Sequence, residues 1–381
     1  MSEFGRSRLA VAALFFFFGF QYATWTARLP VIQAELHLST AEIGLLLLAA
    51  GIGAVAAFPL VAVLMKRLGS RRLAFLSAGV FVLCLLAIAV APNYPVLLAV
   101  LLVDGVAAAC LDVAINAQGA ALEAKYQRTA MGKLHATFSG GALGGALLAS
   151  GMARLTPTLF VHFAVAAVVL ALLFAYARPG LLTEDLPAPE HEKHRRFVRP
   201  SRLTLLLGAA MVFGTIAEGA MNDWSSLYLK NVADATASVA PLGVAIFAAT
   251  MVIARLFADG WRARCGDRPV VLAGSVLAGV GLAAGVLVGG VVPALLGFAC
   301  VGLGIAAVTP CVYVAAATQG ANALTLVSTM GVTGLLAGPP VIGAIANAGG
   351  LAWGLGVVAV AAILVAVCAT PIRWPVPVEA R

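Results

Sequence analysis

Leu64-Met65-Lys66-Arg67-Leu68-Gly69-Ser70-Arg71-Arg72 gathers four cations into one short turn, and on both sides of it the chain becomes apolar. Residues 41–65 carry a single charge, Glu42, and residues 73–91 carry none. A helix needs about 20 apolar residues to cross the hydrocarbon layer of a bilayer. The two runs therefore read as a pair of spans joined by a charged turn, and the rest of the chain repeats the pattern.

Of 381 residues, 62% are hydrophobic and only 10% are charged. Soluble domains carry about 25% charged residues. So apolar a chain cannot cover itself against water, and its solvent is lipid. Runs bounded by charge or by Pro and Asn turns give six spans near 9–28, 41–65, 73–91, 96–122, 134–153 and 159–177. Six more follow near 203–229, 240–258, 269–289, 293–317, 325–347 and 352–370. The expected fold class is an all-α membrane protein with twelve transmembrane helices in two pseudo-symmetric six-helix bundles. The 40 glycines suit close helix approach in lipid. The first run has no small-residue cleavage site after it, so it reads as a retained span and not as a signal peptide.

Charge sorts the loops. Most of the 24 Lys and Arg fall on the side holding both termini, against Arg28, Arg154 and Lys230 on the other. The positive-inside bias then places both termini in the cytoplasm of a multi-pass protein of the bacterial inner membrane. Because the net charge of +8 is scattered over short loops, it forms no continuous basic face, and no nucleic-acid partner is expected. The six cysteines mostly lie inside apolar runs without metal spacing and read as small buried hydrophobes.

A hydrophilic stretch near 178–202 divides the chain into residues 1–177 and 203–381 and reads as a cytoplasmic linker. His191 and His194 within it read as solvated residues. Trp25, Gly44 and Phe58 each stand 199 residues ahead of Trp224, Gly243 and Phe257. A constant offset of this kind is what a parallel repeat of two six-span halves leaves in a sequence.

The turn quoted above resembles the major facilitator signature G-x-x-x-D-R-x-G-R-R, with Arg67, Gly69 and Arg71 matching. Ala62 and Lys66 depart from its first Gly and its acid. Arg255, Asp259, Arg264 and Gly266 form a looser version in the second half. The resemblance implies a cytoplasmic gate at Arg67, Gly69, Arg71, Arg255 and Asp259, where basic groups hold helix C-termini. Ordinary positive-inside charge is the alternative reading.

A closer resemblance is to the fucose-permease group of sugar–proton symporters. It rests on Ile43-Gly44-Leu45 through Pro59 to Leu68, on Cys110-Leu111-Asp112-Val113-Ala114-Ile115-Asn116, and on Leu134-His135-Ala136-Thr137-Phe138-Ser139. It covers roughly residues 15–150. The chain also resembles a neighbouring set of bacterial inner-membrane permeases with unassigned substrates. Where the fucose-permease group has an acid near the outer end of span one, this chain has Thr26, with Arg28 nearby.

An acid at membrane depth costs at least about 2.5–3.5 kcal/mol, so it marks a candidate site. Asp112 lies near the middle of span four and Glu218 near the middle of span seven. Each has an amide four residues on, Asn116 and Asn222, on the same helical face. Desolvation disfavours the charged form of a carboxyl, which suits Asp112 and Glu218 to proton coupling. Each could instead be a structural acid. Gln21, Trp25, Asn116, Asn222, Asp223 and Trp224 are the candidate lining of a substrate cavity, although the two tryptophans also suit an interfacial belt. Asp104 and Asp223 could equally be solvated vestibule groups. Pro310 is expected to break span ten, and Gly338-Pro339-Pro340 to interrupt span eleven.

The functional expectation is a monomeric secondary transporter that moves a small polar solute by alternating access. Its partners would be that solute, protons and the bilayer. Proton symport leads and proton-antiport efflux is the alternative. No Walker A, H-E-x-x-H or G-x-S-x-G motif occurs, so no ATP drive, enzyme activity, metal or cofactor is expected. Alkaline phosphatase fused within 178–202 is expected to be inactive, and fused near residue 35 or 234 to be active. Activity at the linker would overturn the span count of the first half.

Overall fold

In the computed structural model, residues 2–183, 200–372 and 374 are described, apart from the side chains of Asp259 and Ala321. His191 and His194 lie outside the described residues. Among those described, all regular structure is helical. The first half contains α1 (Glu3–Thr26), α2 (Leu29–Glu35), α3 (Thr40–Ala56), α4 (Phe58–Ala89), α5 (Tyr94–Tyr126), α6 (Met131–Leu155) and α7 (Leu159–Ala177). The second contains α8 (Arg202–Asn231), α9 (Leu242–Cys265), α10 (Asp267–Val288), α11 (Val291–Ile305), α12 (Val308–Ala317), α13 (Ala321–Gly349) and α14 (Leu351–Ala369). Among the described residues, nine helical segments are long and apolar enough to cross a membrane, and shorter apolar helices cover 40–56 and 242–258.

Helix ends follow local chemistry. Ser39 and Glu42 open α3 with a capping box: the Ser39 amide donates to Oε2 of Glu42 at 2.8 Å, and the Glu42 amide donates back to Oγ of Ser39 at 3.2 Å. The side chains of Asn93 and Ser201 accept from the third amides of α5 and α8. Span two is divided at Ala57, just ahead of Pro59, whose nitrogen has no hydrogen to donate to the preceding turn. Span ten divides into α11 and α12 at Ala306-Ala307, four residues before Pro310, where proline removes an intrahelical hydrogen bond. The expected interruption of span eleven is absent. Helix α13 runs unbroken through Pro339 and Pro340, held along its length by α8 and α14.

The chain forms two compact units, Met1–Leu38 with Leu45–Glu190, and Ser39–Gly44 with His191–Arg381. In the first unit α1 packs most extensively on α6. A Cβ at Gly19 would strike the Phe138 carbonyl oxygen, and one at Gly141 would strike that of Phe16. In the second unit α8 packs most extensively on α13. There Gly334 sits against the Val212 carbonyl, and Oγ1 of Thr215 donates to the Gly331 carbonyl at 2.9 Å. Both crossings use small residues to bring backbones together, as lipid-embedded helices require.

The two units share a second device. The charged turn is a sharp bend inside α4 at Gly69 (φ 73°, ψ 165°), and Gly266 between α9 and α10 has nearly the same backbone (φ 80°, ψ 164°). Only glycine occupies this region without strain.

Gly141 and its neighbour Gly140 provide an internal control, since a Cβ at Gly140 meets nothing within 4 Å. Gly141→Ala is expected to destabilise the protein by about 1–3 kcal/mol through overpacking. Gly140→Ala should melt at or above the wild-type temperature in detergent. Equal melting of the two variants would dissociate this crossing from stability.

Candidate functional site

Asp112 stands near the middle of α5 and is exposed at the surface of its unit. Nδ2 of Asn116 donates to Oδ1 of Asp112 at 3.0 Å and to its backbone carbonyl at 2.9 Å. Among the described residues no cation pairs with this carboxyl. An exposed, unneutralised acid at mid-span belongs against water and not against acyl chains, where its cost would be unrelieved.

Glu218 occupies the corresponding depth of α8, but its surroundings differ. Nη2 of Arg255 donates to Oε1 of Glu218 at 3.1 Å, with the two side chains 23% and 26% exposed. Nδ2 of Asn222 reaches only the Glu218 backbone carbonyl, at 3.1 Å. Arg255, expected in the gate, therefore reaches into the middle of the span, because α8 and α9 pack side by side. The side chain of Asp259, its expected companion, lies outside the described residues.

The remaining gate residues stay at their turn. Arg67 is exposed. Nη2 of Arg71 donates to the carbonyl of Arg178, the residue capping the C-terminus of α7, at 3.0 Å. Nη2 of Arg268 donates to the carbonyl of Thr370, which caps the C-terminus of α14, at 3.2 Å. Each unit thus uses an arginine two residues beyond its bent glycine to satisfy the end of its last helix, where the helix dipole favours a cation. Arg268 was missed in the sequence, yet the repeat Gly69-Ser70-Arg71 and Gly266-Asp267-Arg268 signals it. Arg262 braces the second turn with a charge-assisted hydrogen bond from Nε to Oδ1 of Asp267 at 2.8 Å.

Four of the six expected cavity residues are interior. Trp25 and Trp224 are 1% and 0% exposed, so they face neither lipid nor an open cavity in this conformation. Asp223 is also buried. Gln21 is buried, and its Nε2 donates to the Phe81 carbonyl at 3.2 Å and to Oδ1 of Asp104 at 3.0 Å. Asp104 is therefore enclosed and not a vestibule group. Only Asn116 and Asn222 lie at the surfaces of their units.

A further polar cluster was not foreseen. Arg28 is 2% exposed and donates Nη2 to the Pro157 carbonyl at 3.1 Å, while its Nε and Nη1 have no acceptor among the described residues. His162, in the first turn of α7, is buried with both ring nitrogens unbonded, and the Arg28 charge acts on it. The short loop closing α1 carries Arg28, and the short loop closing α6 carries its acceptor Pro157. Among the described residues no group of His, Cys, Asp and Glu could hold a metal ion.

These features define a polytopic helical membrane protein built from two similarly constructed units, each with an acid near the middle of its α5 or α8 helix. The family model of the Major Facilitator Superfamily matches residues 9–318, and the chain belongs to that family. It is a multi-pass bacterial membrane transporter of a solute. An uncharacterised transporter of this type from Yersinia pestis is 34% identical, covering 93% of each chain. Membrane protein MosC of Rhizobium meliloti is 32% identical over 95% of this chain and 88% of its own. Among solved structures, a mutant form of the nucleoside transporter NupG superimposes with a TM-score of 0.76 at 14% identity, over 95% of this chain and 98% of its own. A mutant form of the fucose:proton symporter FucP of E. coli gives 0.63 at 16%, over 97% and 98%. Similarity at that identity establishes the fold.

The Glu218–Arg255 pair is open to a double-mutant cycle on thermal unfolding. Its partial exposure sets an expected coupling of about 1 kcal/mol or less. Arg255→Gln with Glu218→Gln should melt above Arg255→Gln alone, which strands the acid. A double variant no more stable than that single one would show that the pair does not neutralise Glu218.

Proposed function

We propose that the protein is a secondary transporter that couples a small polar solute to protons through Asp112, by symport. The observation that carries this reading is the contrast between the two mid-span acids. Asp112 is exposed, bonded to one neutral amide and unpaired with a cation among the described residues. Glu218 has Arg255 at 3.1 Å. A carboxyl that must gain and lose a proton in each cycle needs access to water and no permanent counter-ion. Asp112 meets both conditions, while Glu218, with its charge already balanced, serves to organise the polar surface of the second unit.

The fold likeness to a nucleoside transporter and to a fucose:proton symporter supports transport of a hydroxylated or otherwise polar solute. Asn116 and Asn222 are the amides placed to hydrogen-bond it. Alternating access is the mechanism proposed, with Arg67, Gly69 and Arg71 near one end of the path. The linker 178–202 is proposed to join the two six-span halves on the cytoplasmic side, and the protein to work as a monomer in the inner membrane.

Asp112→Asn mimics the protonated acid, so it is expected to abolish accumulation against a gradient in proteoliposomes. Exchange of solute across the membrane should survive, since exchange requires reorientation without deprotonation. Wild-type vesicles should show proton movement in the direction of the solute, and movement against it would indicate antiport. If Asp112→Asn concentrates solute as well as wild type, Asp112 is a structural acid and the coupling assignment fails.

A further inference from the structure

The first unit holds a second acid that the transport reading does not use. Asp104 lies on α5, two turns before Asp112, and is 3% exposed. Its side chain points to the opposite kind of environment, into the junction of α1, α4 and α5. From α1 comes Gln21, whose Nε2 divides its two hydrogens between Oδ1 of Asp104 at 3.0 Å and the Phe81 carbonyl at 3.2 Å. From α4 come that carbonyl and the buried thiol of Cys84, the titratable group in electrostatic contact with Asp104. On the α3 side, Gly105 is pressed against the Ala50 backbone. Among the described residues no Lys, Arg or His pairs with Asp104.

A carboxylate so enclosed would carry a full charge into low dielectric with one neutral hydrogen bond to offset it. Unpaired buried charge costs far more than one ordinary hydrogen bond returns, and neutralisation is how a protein relieves it. The amide of Gln21 meets one oxygen and leaves the other to carry hydrogen. We infer that Asp104 is a proton-binding site separate from Asp112, loaded in the conformation seen here and sealed by the contact of α1 with α5. Any separation of these helices admits water to the carboxyl and frees the proton. The assignment of the proton rests on the surroundings of Asp104 alone, and only its use in coupling rests on the transport reading above.

Infrared spectroscopy of the full-length protein in detergent, with isotope-labelled aspartate and no solute, tests the site without reference to transport. A carboxylic-acid carbonyl band is expected at neutral pH in wild type and in Asp112→Asn, and is expected to be missing from Asp104→Asn. The band should disappear reversibly as pH rises, before the protein unfolds. Identical spectra for wild type and Asp104→Asn at neutral pH would mean that Asp104 is ionised, and a band lost only on unfolding would mean that it never exchanges. Either result overturns the inference. Gln21→Met serves if Asp104→Asn does not fold. A neutral Asp104 keeps its band there, moved to higher frequency by loss of the amide hydrogen bond. Loss of the band in Gln21→Met, or failure of that variant to fold, would assign a charged carboxylate dependent on Gln21.

Discussion

Hydrocarbon offers no hydrogen bonds, and this constraint organises the rest of the molecule. Every backbone group inside the bilayer must be satisfied within the chain, which makes the fold helical. Every polar side chain must find a partner, face water or lose its charge. Without a hydrophobic force between helices in lipid, cohesion comes from close approach of backbones. Gly19 and Gly141 in the first unit, and Gly334 in the second, are among the points of such close approach. These crossings join α1 to α6 and α8 to α13, so the same solution appears once in each half of the chain.

The repeat extends from packing to helix ends. A final helix leaves carbonyls without intrahelical partners. In both units an arginine just past a left-handed glycine supplies a donor to that end. The bend at Gly69 and at Gly266 aims the arginine, and the arginine fixes the last helix of its unit to the turn. A cationic turn therefore has a local structural function in each unit, in addition to its contribution to membrane orientation.

The all-helical membrane architecture and the approximate limits of its long spans were legible because hydropathy along the chain rises and falls with membrane thickness. The acid–amide spacing was legible too, since a separation of four fixes a shared helical face. The rotation of each helix was not. Helices that are apolar all round give little indication of which face turns inward. Gln21, Trp25, Asp223 and Trp224 read as cavity residues, and all four are buried in this conformation. Arg255 read as part of a charged turn because its neighbours are cationic, whereas its side chain is long enough to reach Glu218. The Pro339-Pro340 pair read as a break, but tertiary contacts keep α13 helical there. Arg28 and His162 carried no motif, and only the folded chain brings them into electrostatic contact.

The distribution of charge on mid-span acids separates the two units more sharply than their shared architecture does. Near the middle of α5 one unit presents a carboxyl with a neutral amide, and near the middle of α8 the other presents a carboxyl with a guanidinium. An arginine stays charged throughout the physiological range. Its guanidinium stands 3.1 Å from the Glu218 carboxylate and balances that charge. Asp112 has no such counterweight among the described residues, and its carboxyl meets only the neutral amide of Asn116. Helix α5 thus carries two acids in contrasting surroundings, Asp112 exposed and Asp104 enclosed. The second unit instead sets its mid-span acid against a guanidinium.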